Sequence, residues 1–65
     1  MNKGKRLYGA WVKVPLEDGG SKEAIFHFYA DPELEYTEGA IDAVAQERAE
    51  RRYKDTTLLS CWRSA

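Results

Sequence analysis

The side chains of this sequence that could do chemistry are few and scattered. His27 is the only histidine and Cys61 the only cysteine among 65 residues. A histidine acting as general base needs a nucleophile or an orienting carboxylate at a defined spacing, and His27 has neither nearby. It is expected on the outer face of a half-covered strand. Cys61 stands beside Leu59, Ser60 and Trp62, where cysteine packs as a small apolar residue. One histidine and one cysteine are too few for a structural zinc site. Gly19-Gly20 is not followed by a helix carrying a lysine, as a phosphate-cradling loop requires. The expectation is a chain with no catalytic set, no cofactor and no metal.

Two constellations remain. Asp31, Glu33, Glu35, Glu38 and Asp42 fall within twelve residues that contain no lysine or arginine, and Arg48, Arg51, Arg52 and Lys54 follow. Acids at a helix start and bases at its end complement the helix dipole, at about 0.3–1 kcal/mol each. That accounts for Glu38, Asp42 and the basic group, and less well for Asp31, Glu33 and Glu35, which precede the helix. As a functional feature, the five acids form an anionic patch suited to a basic surface, one that normally holds a phosphate backbone. The second constellation is Tyr8 and Trp11 with Lys3, Lys5, Arg6 and Lys13, aromatics and cations of the kind that stack and neutralise RNA or single-stranded DNA.

The elements that must position these residues are legible. Leu7 to Val14 alternates, with Tyr8, Ala10, Val12 and Val14 on one face and Leu7, Gly9, Trp11 and Lys13 on the other. Pro15 closes this strand. Glu17-Asp18-Gly19-Gly20-Ser21 is a turn cluster that predicts a hairpin. In the next strand, to Ala30, the residues Ala24, Phe26, Phe28 and Ala30 oppose Glu23, Ile25, His27 and Tyr29. Asp31-Pro32 ends it. Thr37 is the expected N-cap of a helix running to about Tyr53, with Ile41, Val44, Ala45, Arg48, Ala49 and Tyr53 near one face. Glu47–Arg51 and Glu50–Lys54 have the i, i+4 spacing of helix ion pairs. Thr57 to Trp62 is the last strand.

These elements predict an α+β fold, a single ββαβ domain over residues 1–65 with residues 1–5 frayed. The expected sheet is three-stranded and antiparallel, in order 2-1-3, with the helix on one face. Strand 1, the most apolar, then sits centrally, and the other sheet face is left partly open as an interaction surface. A chain this short buries only about 60% of its unfolded surface, and its stability is expected at roughly 3–5 kcal/mol. With 43% hydrophobic and 32% charged residues and a net charge of −1, the composition is that of a globular domain. No apolar run reaches the roughly 18 residues of a membrane span. The basic start lacks the apolar region of a signal peptide, and a lone cysteine suits a reducing compartment. A cytoplasmic protein, monomeric or weakly dimeric, is expected.

In layout the chain resembles small anti-CRISPR and other host-inhibitor proteins of phages and mobile elements. These are tiny, cysteine-poor α/β domains with a short sheet, one helix and an acidic flank, here Asp31 to Asp42. The resemblance implies an inhibitor, a DNA mimic in the host cytoplasm, that binds a bacterial nucleic-acid-handling defence complex as its protein partner. Separately, Arg6-Leu7-Tyr8-Gly9-Ala10-Trp11-Val12 resembles the strand motif of RNA-recognition folds. It departs from that motif at Leu7, where a glycine is expected, and at Ala10, where the second aromatic should be. That resemblance implies the alternative, direct nucleic-acid binding through Tyr8, Trp11, Lys5, Arg6 and Lys13.

Overall fold

The structure, a computed structural model, describes residues 4–64. The frayed start expected for residues 1–5 lies outside them up to residue 3, as does Lys3. Strand β1 spans Arg6–Pro15 and strand β2 Ser21–Ala30. A 3-10 helix covers Pro32–Tyr36, helix α1 covers Ala40–Arg52, and strand β3 covers Thr57–Arg63. The sheet is antiparallel in order β2-β1-β3. This is the ββαβ layout read from the sequence.

The hairpin follows from its turn. Asp18 Oδ1 accepts the Gly20 N–H at 2.9 Å, the Leu16 N–H donates to the Gly20 carbonyl at 2.8 Å, and Gly19 takes φ 90°. Only glycine adopts that left-handed conformation without cost. The turn fixes the register, pairing Tyr8 with Phe28, Ala10 with Phe26 and Trp11 with Ile25.

One face of the sheet is closed by α1. Tyr8, Ala10, Val12 and Val14 of β1, Phe26, Phe28 and Ala30 of β2, and Ala45 and Ala49 of α1 form the core. Ala45 and Ala49 are wholly buried; having only a methyl group each, they let the helix lie close on the strands. Tyr8 stacks on Phe28 with ring centroids 5.7 Å apart. Ile41, Val44, Tyr53, Leu34, Leu58 and Cys61 close the rim.

Two local expectations are corrected, and β3 adds an irregularity. Thr37 does not cap α1: its N–H closes the 3-10 helix on Leu34, and Gly39, at φ 79°, precedes the helix instead. The reason lies upstream, where Asp31 Oδ1 accepts the Glu33 N–H at 2.9 Å and Pro32 supplies a helical φ, so a helical turn starts there first. Glu50 does not pair with Lys54 but accepts from Gln46 Nε2 at 2.8 Å, whereas Glu47–Arg51 forms as expected at 2.6 Å. In β3 the register shifts between the partners of Trp11 and Val12, which pair with Ser60 and Leu58. Leu59 is therefore the extra residue of a β-bulge. Leu58 and Cys61 are three apart, and strict alternation cannot turn both toward the helix; the bulge does.

Gln46 then ties α1 to this strand. Its Nε2 also donates to the Thr56 carbonyl at 3.0 Å and its Oε1 accepts the Leu58 N–H at 3.0 Å. The buried Thr56 hydroxyl donates to the Lys13 carbonyl at 3.0 Å.

Candidate functional site

The face of the sheet away from α1 is uncovered. Across it the register sets Leu7 beside Tyr29, Gly9 between His27 and Trp62, Trp11 between Ile25 and Ser60, and Lys13 between Glu23 and Thr57. Gly9 is bare for a reason: a Cβ there would stand 2.4 Å from the Trp62 indole, which lies over it. Trp11 Nε1 donates to Glu23 Oε1 at 3.0 Å. Trp11, Ile25, Tyr29 and Trp62 remain 39, 62, 43 and 37% exposed. The charges of this face, Lys13 and Glu23, are cross-strand partners at one end. The result is an aromatic and aliphatic surface with little net charge.

The nucleic-acid constellation is split by this geometry. Trp11 and Lys13 are on the open face, but Tyr8 is 2% exposed beneath the helix. Its hydroxyl donates to Glu35 Oε2 at 2.5 Å, so it cannot stack a base. Arg6 is also engaged, with Nη1 2.9 Å from Glu35 Oε2. Lys5 stands apart from both, lining a cleft along β2 with Arg48 and Arg52.

The acidic constellation is only partly a free patch. Glu35 accepts from Tyr8, Arg6 and Arg63, the last at 2.7 Å. It thereby pins the 3-10 helix to the ends of β1 and β3. The Tyr8 hydrogen bond first, then that of Arg63, holds the Glu35 carboxyl at about 2. Asp31 caps the 3-10 helix. Glu33, Glu38 and Asp42 are exposed and form no ion pair among the described residues. Sequence reasoning missed the Glu35 clasp because its partners lie 27 to 29 residues away.

The clasp predicts a pH effect with a definite sign. The carboxyl is depressed in the folded state, so its stabilisation is present above its ordinary value near 4.5 and is lost as pH falls toward about 2. Melting temperature should fall through that window more steeply in the native protein than in Glu35→Gln. Circular dichroism melts at several pH values check this, and equal slopes would refute the clasp.

His27 is exposed on the open face, and Cys61 is half-buried at the core rim. Burial first, and Asp42 second, push the Cys61 thiol up, away from the reactive thiolate. Among the described residues no group of three or more His, Cys, Asp or Glu is placed to hold a metal ion, and no helix is long and apolar enough to cross a membrane.

No family model, curated protein or solved structure matches this chain. Its surfaces carry the functional information. Of these, the open sheet face concentrates large apolar side chains, and the acidic segment keeps Glu33, Glu38 and Asp42 outside any ion pair among the described residues.

Proposed function

We propose that this protein is a protein-binding module that acts by occupying a partner through its uncovered sheet face. The observation that carries the reading is the exposure of Trp11, Ile25, Tyr29 and Trp62 together on one nearly uncharged face. Contiguous apolar patches of this kind mark interaction sites, and tryptophan and tyrosine are enriched among the residues that dominate interface energy. A nucleic-acid platform needs a positive groove as well, and here Lys13 is offset by Glu23.

The narrower form of the proposal is the inhibitor of a bacterial nucleic-acid-binding defence complex, working in the cytoplasm. Its own support is the acidic segment, reduced to Glu33, Glu38 and Asp42, since Arg6 and Arg63 neutralise Glu35.

Capture of partners from bacterial lysate with the tagged protein, with and without nuclease, tests both forms. The face reading expects a protein that survives nuclease, is retained by Glu33→Lys/Glu38→Lys and is lost by Trp11→Ser. Retention by Trp11→Ser but loss on charge reversal would transfer the site to the acidic segment. Nucleic acid released by nuclease would overturn both.

A further inference from the structure

The second surface that stands out is the outer edge of β2. In an antiparallel ladder, residues alternate between those bonded to the neighbour and those whose N–H and C=O point away. The Leu16 N–H to Gly20 carbonyl bond sets the phase of the β1–β2 ladder. Lys22, Ala24, Phe26 and Phe28 therefore bond to β1, and Glu23, Ile25, His27 and Tyr29 turn their backbone groups outward. β2 is an end strand of the sheet and contains no proline, glycine or bulge. From Ala24 to Ala30 it carries no lysine, arginine or carboxylate. Protein edges are usually blunted by such devices; beyond Lys22 and Glu23 near its start, this one is not.

Beside the edge, on the helix side, runs a cleft of about 450 Å³ lined by Lys5, Arg48, Arg52 and Asp31. The Arg52 guanidinium lies over the Phe26 ring at 4.9 Å. Neither Arg48 nor Arg52 has a carboxylate partner among the described residues. Three cations thus face one carboxylate, and Asp31 is already accepting the Glu33 N–H.

We propose that the β2 edge and its arginines receive an extended acidic segment of a partner protein, which adds as a fourth strand. The spacing fits. Arg48 and Arg52 are one helical turn apart, about 6 Å, and alternate residues of a strand on one face are about 6.7 Å apart. Two acids separated by one residue can therefore meet the two arginines, while the intervening side chain falls on the open face beside His27 and Tyr29. Backbone pairing supplies affinity and the alternate side chains supply specificity, as in other strand additions. A second copy is the poorer occupant. Pairing β2 with β2 about its middle would bring Arg52, standing over Phe26, against its own copy. The edge site does not depend on the proposal for the open face, and Trp11→Ser serves as the control that separates them.

The test is selection from a displayed library of random twelve-residue peptides, followed by amide hydrogen exchange on the complex. Enriched peptides should carry acid-x-acid and lack proline, and should bind Trp11→Ser as well as the native chain. Reversing both arginines, Arg48→Glu/Arg52→Glu, should weaken them by about tenfold, as expected for two part-exposed charge pairs. Since Arg52 packs on Phe26, Arg48→Gln alone gives a second variant that spares that contact and should weaken binding in the same direction. Binding should slow exchange at the Glu23, Ile25, His27 and Tyr29 amides. No enrichment over the doubly reversed variant, peptides without acid spacing, or binding that leaves those four amides unprotected would each overturn the proposal. So would displacement of the peptides by a twelve-nucleotide oligothymidine, or a doubled mass in solution abolished by a β2 substitution.

Discussion

Phe28→Ala should leave the chain largely unfolded at room temperature. Phe28 is 3% exposed, stacked on Tyr8 at 5.7 Å and tilted against Phe26 at 6.1 Å. Removing a buried phenylalanine costs about 3–5 kcal/mol, the lost transfer energy plus the cavity left behind. That equals the entire stability of roughly 3–5 kcal/mol expected of so small a domain. Larger proteins survive such a deletion; here the core is one layer of side chains between three strands and one helix. Urea and thermal unfolding followed by circular dichroism should show the cooperative transition of the native protein and none in the variant. A variant melting within a few degrees of the native chain would mean that Phe28 is less central than its burial indicates.

The second large effect comes from adding atoms. Ala49→Leu should destabilise by about 1–3 kcal/mol, the usual cost of overpacking, although leucine and alanine are both good helix formers. Ala49 is wholly buried against the sheet, so a longer side chain must push the axis of α1 away and loosen Gln46 from Thr56 and Leu58. Ala43→Leu is the control, because Ala43 lies on the exposed side of the same helix. A melting temperature lowered for Ala49→Leu and unchanged for Ala43→Leu confirms that helix-to-sheet spacing is the cause. Equal behaviour of the two would sink that account.

How far the sequence discloses this molecule depends on the range of the interaction. The faces of β1 and β2 follow from alternation alone, which places Tyr8 with Val12 and Trp11 with Lys13. That same alternation already separates Tyr8 from Trp11, so a stacking platform using both was at odds with the strand that carried it. Sheet order follows from the apolar character of β1 and the antiparallel pairing that order 2-1-3 permits. The buried stripe of α1 follows from Ala45 and Ala49 at i, i+4. Boundaries were harder, because Asp31-Pro32 and Thr37 are both helix-start signals and the first of them takes a separate 3-10 turn. The Glu35 clasp joins three chain segments, and no local pattern marks it. An acid-rich stretch read as surface charge thus contains two residues that the fold itself uses, Asp31 as a cap and Glu35 as the clasp. The bulge had a faint sign, the three-residue spacing of Leu58 and Cys61, which a regular strand cannot accommodate on one face.

That bulge has a bearing on stoichiometry. A flat sheet with two usable edges can recruit on both sides, and each recruit offers a new edge, which is how strand addition runs on into fibres. Here the two edges are unequal. β3 is short, kinked at Leu59 and ends in Arg63, whose guanidinium is held by Glu35. A chain built this way has one regular edge to offer, so strand addition should proceed on the β2 side alone.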